Sequence, residues 1–106
     1  MTETERLNAI RLAASQRGWR LWRNNSGVLL DRRGVPVRYG LANESKAMNT
    51  QFKSGDLIGW TDDGRFISIE DKPVGGVIEP AQIRWRDLVR ASGGIAIIAY
   101  GPEDLP

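Results

Sequence analysis

Residues 56–72, DLIGWTDDGRFISIEDK, constrain the fold more than any other stretch of the chain. Two apolar-rich runs flank a tight Asp-Asp-Gly turn, the pattern of a β-hairpin. Pairing centred on residue 63 sets Asp56 opposite Glu70, at cross-strand distance and within reach of one cation. Side chains alternate along a strand, so Glu70 and Lys72 emerge on one face while Asp71 points away. Two acids and an amine thus converge at the open end of the hairpin. Two like charges brought together out of water need a counter-ion, and a divalent metal serves.

The elements around this hairpin follow from local signals. Residues 3–17 read as a helix with Thr2 as N-cap, Glu5 as capping-box partner and Gly18 as the stop. Glu3, Leu7, Ile10 and Ala14 share one stripe of that helix. Residues 19–23 (WRLWR) read as a strand with Trp19 and Trp22 in the core, NNSG as a turn, and 28–40 as a hairpin with Arg33-Gly34 near its tip. Residues 41–54 are weakly periodic and polar, a mobile loop with room for a short helical turn. After the loop 73–80, a helix over 80–92 begins at Pro80 and ends at Gly93-Gly94. The apolar run IAIIAY (95–100) reads as a strand covered on both faces, and PEDL can begin a last helical turn. This order predicts a single α/β domain over 1–106, with a mixed central sheet flanked by helices.

Composition narrows the chemistry. The chain of 106 residues has no Cys and no His. Disulfides, thiolate zinc sites, cysteine nucleophiles, Ser-His-Asp hydrolysis and histidine-metal clusters are therefore excluded. Carboxylates, Lys, Arg, hydroxyls and a hard metal remain. Residues 1–40 hold eight Arg against three acids, while 41–106 hold seven basic residues against ten acids. A basic half beside an acid-bearing half suits a polyanion partner next to a cation site, and also suits plain solubilising charge. The first residues carry charges where a signal peptide needs an apolar run, and no stretch reaches the length of a membrane span, so no membrane association and a cytoplasmic location are expected.

The runs SGDLIGWTDDGRFISIEDKPVGG and EPAQIRWRDLVRASGGIAIIAYGPEDL, with RGWRLWRNNSG upstream, resemble the VRR-NUC domain, a branch of the PD-(D/E)XK nucleases. The resemblance covers nearly the whole chain and implies a restriction-endonuclease-like core. By motif it implies Asp56 and Glu70 as catalytic metal carboxylates, Lys72 as the catalytic lysine, and Gln82, which opens the next helix, as a catalytic residue positioning water or the adjacent phosphate. It also implies the Asp71 backbone carbonyl as a metal ligand and a glutamate early in the first helix. Glu3 fits that role through its stripe, whereas Glu5 is occupied by the cap. Mg²⁺ or Mn²⁺ is the implied cofactor, and oxygen donors suit both.

The activity so implied is hydrolysis of phosphodiester bonds in branched DNA such as four-way (Holliday) junctions, as in DNA repair, by a homodimer. The alternative is a catalytically inactive DNA-binding module on the same fold. Arg20, Arg23, Asn24 and Asn25 are the expected DNA contacts, and Arg84, Arg86 and Arg90 form either a second phosphate patch or a solvent face. Two departures stand out. Gly55 replaces the usual proline before the aspartate, and Asp71 occupies the normally apolar middle of Glu-x-Lys. The Asp71 side chain must escape through the strand end, pair with an Arg, or weaken its surroundings.

Overall fold

The computed structural model describes all 106 residues, and it bears out the mixed α/β class. Helix α1 (Glu3–Gln16) starts where the Thr2 hydroxyl accepts the Glu5 N–H at 3.1 Å. It stops at Gly18, whose φ of +78° is a left-handed conformation that glycine adopts without strain. Strand β1 (Arg20–Arg23) follows. Strands β2 (Gly27–Leu30) and β3 (Pro36–Tyr39) form a separate two-stranded ribbon. The polar stretch after it contains a six-residue helix, α2 (Lys46–Gln51), capped by the Ser45 hydroxyl. Propensity alone is too weak to secure so short a helix, and docking on the next helix supplies the rest.

Strands β4 (Leu57–Trp60) and β5 (Phe66–Asp71) form the expected hairpin. Leu57 pairs with Ile69 and Trp60 with Phe66, which is the register centred on residue 63. Its turn is closed by the Thr61 and Arg65 main chains, with Gly64 at φ +87°. Helix α3 (Pro80–Ala91), strand β6 (Ile95–Ala99) and a 3-10 turn (Pro102–Asp104) complete the chain. The sheet order is β1-β4-β5-β6, antiparallel except for the β5–β6 pair. No helix is long and apolar enough to cross a membrane.

Alternation along β5 divides the sheet into two faces. Ile67 and Ile69 point toward α1 and join Leu7, Ile10, Ala14, Leu21, Leu57 and Ala99 in the core. The large ones Leu7, Ile10, Leu57, Ile67 and Ile69 are wholly buried, each contributing roughly 2 kcal/mol of hydrophobic stabilisation. Phe66, Ser68 and Glu70 point toward α3, where the Trp85 indole N–H donates to Ser68 Oγ at 2.9 Å. Strand β6 is one of the sheet's two outer strands; none of Ile95–Ala99 is exposed, whereas Tyr100, which ends the apolar run, is.

The expectation of two core tryptophans holds for Trp19, which is 9% exposed, and fails for Trp22. Trp22 lies on the α3 side of β1, where α3 packs on β5 and β6, and it is 47% exposed.

Candidate metal and phosphate site

The pairing that fixes β4 against β5 brings Asp56 and Glu70 together at the hairpin's open end. Asp56 Oδ2 accepts the Asp71 N–H at 2.8 Å, which locks its carboxylate against the 70–71 peptide. Glu70 Oε1 accepts from Gln82 Nε2 at 2.7 Å and lies 3.8 Å from Lys72 Nζ. Gln82 is itself held, because its Oε1 accepts the Glu79 N–H at the start of α3. The structure therefore corrects the expected catalytic role: Gln82 is a buried positioning residue for Glu70, not a contact for water or phosphate. Its amide is committed at both ends.

Electrostatics follow from this crowding. Burial pushes the Asp56 carboxyl up, against the lowering effect of the Asp71 N–H. Glu70 is pushed up to about 8, first by burial and then by the Asp56 charge, with Lys72 opposing. Two carboxylates that resist joint ionisation are what a hard cation would neutralise. Oxygen donors fit Mg²⁺ or Mn²⁺, and Asp56, Glu70 and the adjacent Asp71 carbonyl would be the holders. No group of three Asp or Glu side chains is gathered closely enough to make a cage by itself. Glu3 sits at the rim, lining the same groove as Asp56, while Glu5 spends its N–H on the cap.

Two openings meet at Asp56. One is a cleft of about 270 Å³ lined by Asp56, Glu70 and Gln82, with Arg38 and Lys53 on its walls. The other, about 560 Å³, is bounded by Glu3, Arg23, Asn25 and Tyr39. Neither Arg38 nor Lys53 was expected from the sequence, and neither is free: Lys53 pairs with Glu79 at 2.9 Å, and Arg38, carried to the cleft by the ribbon, donates to the Asn43 carbonyl and Oδ1.

Asp71 resolves its conflict through a fork. Arg6 of α1 donates from Nε and Nη2 to the two Asp71 oxygens, both at 2.9 Å. Of the three outcomes open to this side chain, pairing with an Arg is realised, and that geometry is the strong bidentate one. Gly55 is explained as well. The chain crosses β5 so closely there that a Cβ would collide with Ser68 Oγ and the Ile69 carbonyl.

The expected DNA contacts divide. Arg20, Arg23 and Asn25 are exposed, the last two beside Asp56. Asn24 is not available. Its amide donates to Ser54 Oγ and the Gly55 carbonyl, both at 2.8 Å, and accepts the Leu41 N–H. It ties together three loops that hold Asp56. The second phosphate patch does not form either. Arg84 donates to the Thr50 and Gln51 carbonyls, Arg90 to the Ala96 carbonyl, and Arg86 pairs with Asp87.

The fold and site together define an α/β sheet protein with an acidic pair and a lysine at one sheet end. Compared with known proteins, the chain matches no family model and no curated sequence.

Proposed function

We propose that this protein is a metal-dependent endodeoxyribonuclease of the VRR-NUC type, acting on branched DNA such as four-way junctions. One observation carries the reading: Asp56 and Glu70 meet across a hairpin with Lys72 alongside, at an open cleft.

In this reading a water oxygen adds to phosphorus as the bond to the leaving ester oxygen breaks, and that oxygen takes up a proton. Asp56 and Glu70 bind the cation, and Gln82 keeps Glu70 turned toward Asp56. A bound Mg²⁺ or Mn²⁺ supplies Lewis-acid polarisation of the phosphate and acidifies water. Lys72 orients the attacking water and offsets charge that grows on the phosphate oxygens. Arg23 and Asn25, exposed beside Asp56, receive the flanking phosphates. A second copy of the chain would let two sites cut two strands. The apolar face of the ribbon, bearing Leu29, Val35, Val37 and Tyr39, supports such a pairing.

The test is cleavage of a labelled four-way junction in Mg²⁺ or Mn²⁺ by the wild-type chain, Asp56→Ala and Lys72→Ala, with solution mass measured alongside. Cleavage by the wild type, with losses of about a hundredfold or more in both variants, is expected. Salt-sensitive binding without cleavage by the wild type would refute the nuclease and leave the non-catalytic DNA-binding module.

A further inference from the structure

Trp22 and Trp60 form an exposed pair on the sheet face that carries Glu70. Their ring centroids are 4.7 Å apart, with planes inclined at 43°. The indoles are 47% and 51% exposed. Trp22 pairs with Ile58, Ile58 with Ser68, and Arg20 with Trp60, so Arg20, Trp22, Trp60, Ser68 and Glu70 share one face. Helix α3 packs on the β5–β6 half of that face, and beyond it Trp22 of β1 and Trp60 of β4 stay exposed. Half-bare indoles side by side add little to the core, and exposed aromatic pairs mark contact surfaces.

The surroundings indicate what the contact is. Trp22 also borders a cavity of about 390 Å³ between α1 and β1, whose polar lining is Arg11, Arg20, Asn8 and Ser15, with no acid. Neither arginine has a carboxylate partner. Arg20 spends one N–H on the Trp19 carbonyl and keeps the others. Cations beside an aromatic platform match a nucleotide, with phosphate on the guanidinium groups and base on the ring. Strand geometry places Trp22 about 12 Å from Glu70, two strand spacings across and two residues along, a span of a few nucleotides.

We propose that Trp22 and Trp60, with Arg11 and Arg20, form a binding site for an unpaired stretch of DNA adjoining the cleaved phosphate. The assignment rests on the DNA reading above but not on catalysis. A strand would stack a base on the indoles, lay its phosphates along Arg20 and Arg11, and run along β1 past Arg23 to Asp56. A blunt duplex has no free base to offer this platform.

The test uses the full chain in EDTA, so that cleavage plays no part, with fluorescence anisotropy of labelled oligothymidylate and of a blunt duplex. Trp22→Ala is expected to weaken oligothymidylate binding between about fivefold and a hundredfold, the range for one stacked base, and to leave the duplex within about twofold. Trp22→Phe should retain most of the affinity. Arg11→Gln with Arg20→Gln keeps both indoles, and should flatten the log–log salt dependence by about 1.4, the loss of two phosphate contacts on a single strand.

Unchanged oligothymidylate binding in Trp22→Ala overturns the proposal, as does equal loss on both ligands. If Trp22→Ala does not fold, an unaltered salt slope in the double arginine variant overturns it instead. A wild-type dimer that Trp22→Phe or Trp22→Ala turns into a monomer would make this face a contact between copies, and would also overturn it. Oligothymidylate binding that persists in a chain unable to cut junctions would retain this site and remove the nuclease.

Discussion

Glu70 offers the sharpest energetic test. Its carboxyl is held at about 8 in the folded chain, against 4.5 for the free side chain. Between those values the folded state keeps a proton that the unfolded chain has released. Stability must therefore fall as pH rises through this window and level off above about 8. At about 1.36 kcal/mol for each pH unit, the loss reaches about 3 kcal/mol at pH 7 and about 5 kcal/mol at the plateau. The groups facing Glu70 are Asp56, Asp71, Lys72 and Glu79, and among the three acids Asp56 has the strongest effect. Asp56 is raised as well and adds to the slope in the same direction.

Glu70→Gln removes the titrating group but keeps an oxygen for Gln82 to donate to. In EDTA the variant should match the wild type near pH 4.5 and exceed it by about 3 kcal/mol at pH 7. Urea unfolding followed by circular dichroism at pH 4.5, 7 and 8.5 measures this difference directly. Millimolar Mg²⁺ or Mn²⁺ should restore the wild type at pH 8 and do much less for the variant, because a cation that binds only the folded state stabilises it. Parallel stability curves across this range would refute the reasoning, since Glu70 would then carry no burden of confinement. Equal stabilisation of both proteins by metal would place the cation elsewhere.

Three further outcomes are expected. Gln82→Ala should lower metal-dependent cleavage about 10- to 100-fold while junction binding stays within about twofold, because Gln82 acts only through Glu70; cleavage rates and anisotropy measure the two separately. Arg6→Met leaves a buried carboxylate at Asp71 without its fork and should lower the melting temperature by several degrees. Pairing it with Asp71→Ile should recover most of that loss in the same calorimetric scan. Gly59→Ala should cost at least about 2 kcal/mol in urea unfolding, since a methyl there would overlap the Arg20 carbonyl of the neighbouring strand.

The register of the central hairpin was legible because a turn signal and two alternating runs fix it with no help from the rest of the chain. The positions of Asp56, Glu70 and Lys72 followed from that register alone. Helix α1 was legible for a similar reason: its cap, stop and apolar stripe are all local. What stayed hidden depended on partners far away in sequence. Asp71 declared a need for a cation, but fifteen Lys and Arg were on offer, and Arg6 lies 65 residues away.

Asn24 looks like a surface residue until the loops at Leu41 and Ser54 close on it. Trp19 and Trp22 were indistinguishable by type. Which one is buried depends on how far α3 reaches across the sheet, and no periodicity within β1 encodes that. Arg84 and Arg90 were left open between a phosphate patch and a solvent face, and main-chain carbonyls of neighbouring elements claim them first.

The clasp between Arg6 and Asp71 also binds two positions of the chain into a shared history. Arg6 cannot change alone without stranding the Asp71 carboxylate in the interior, so drift at Arg6 must await drift at Asp71. Kindred sequences that have abandoned arginine at the place of Arg6 should therefore have abandoned aspartate at the place of Asp71.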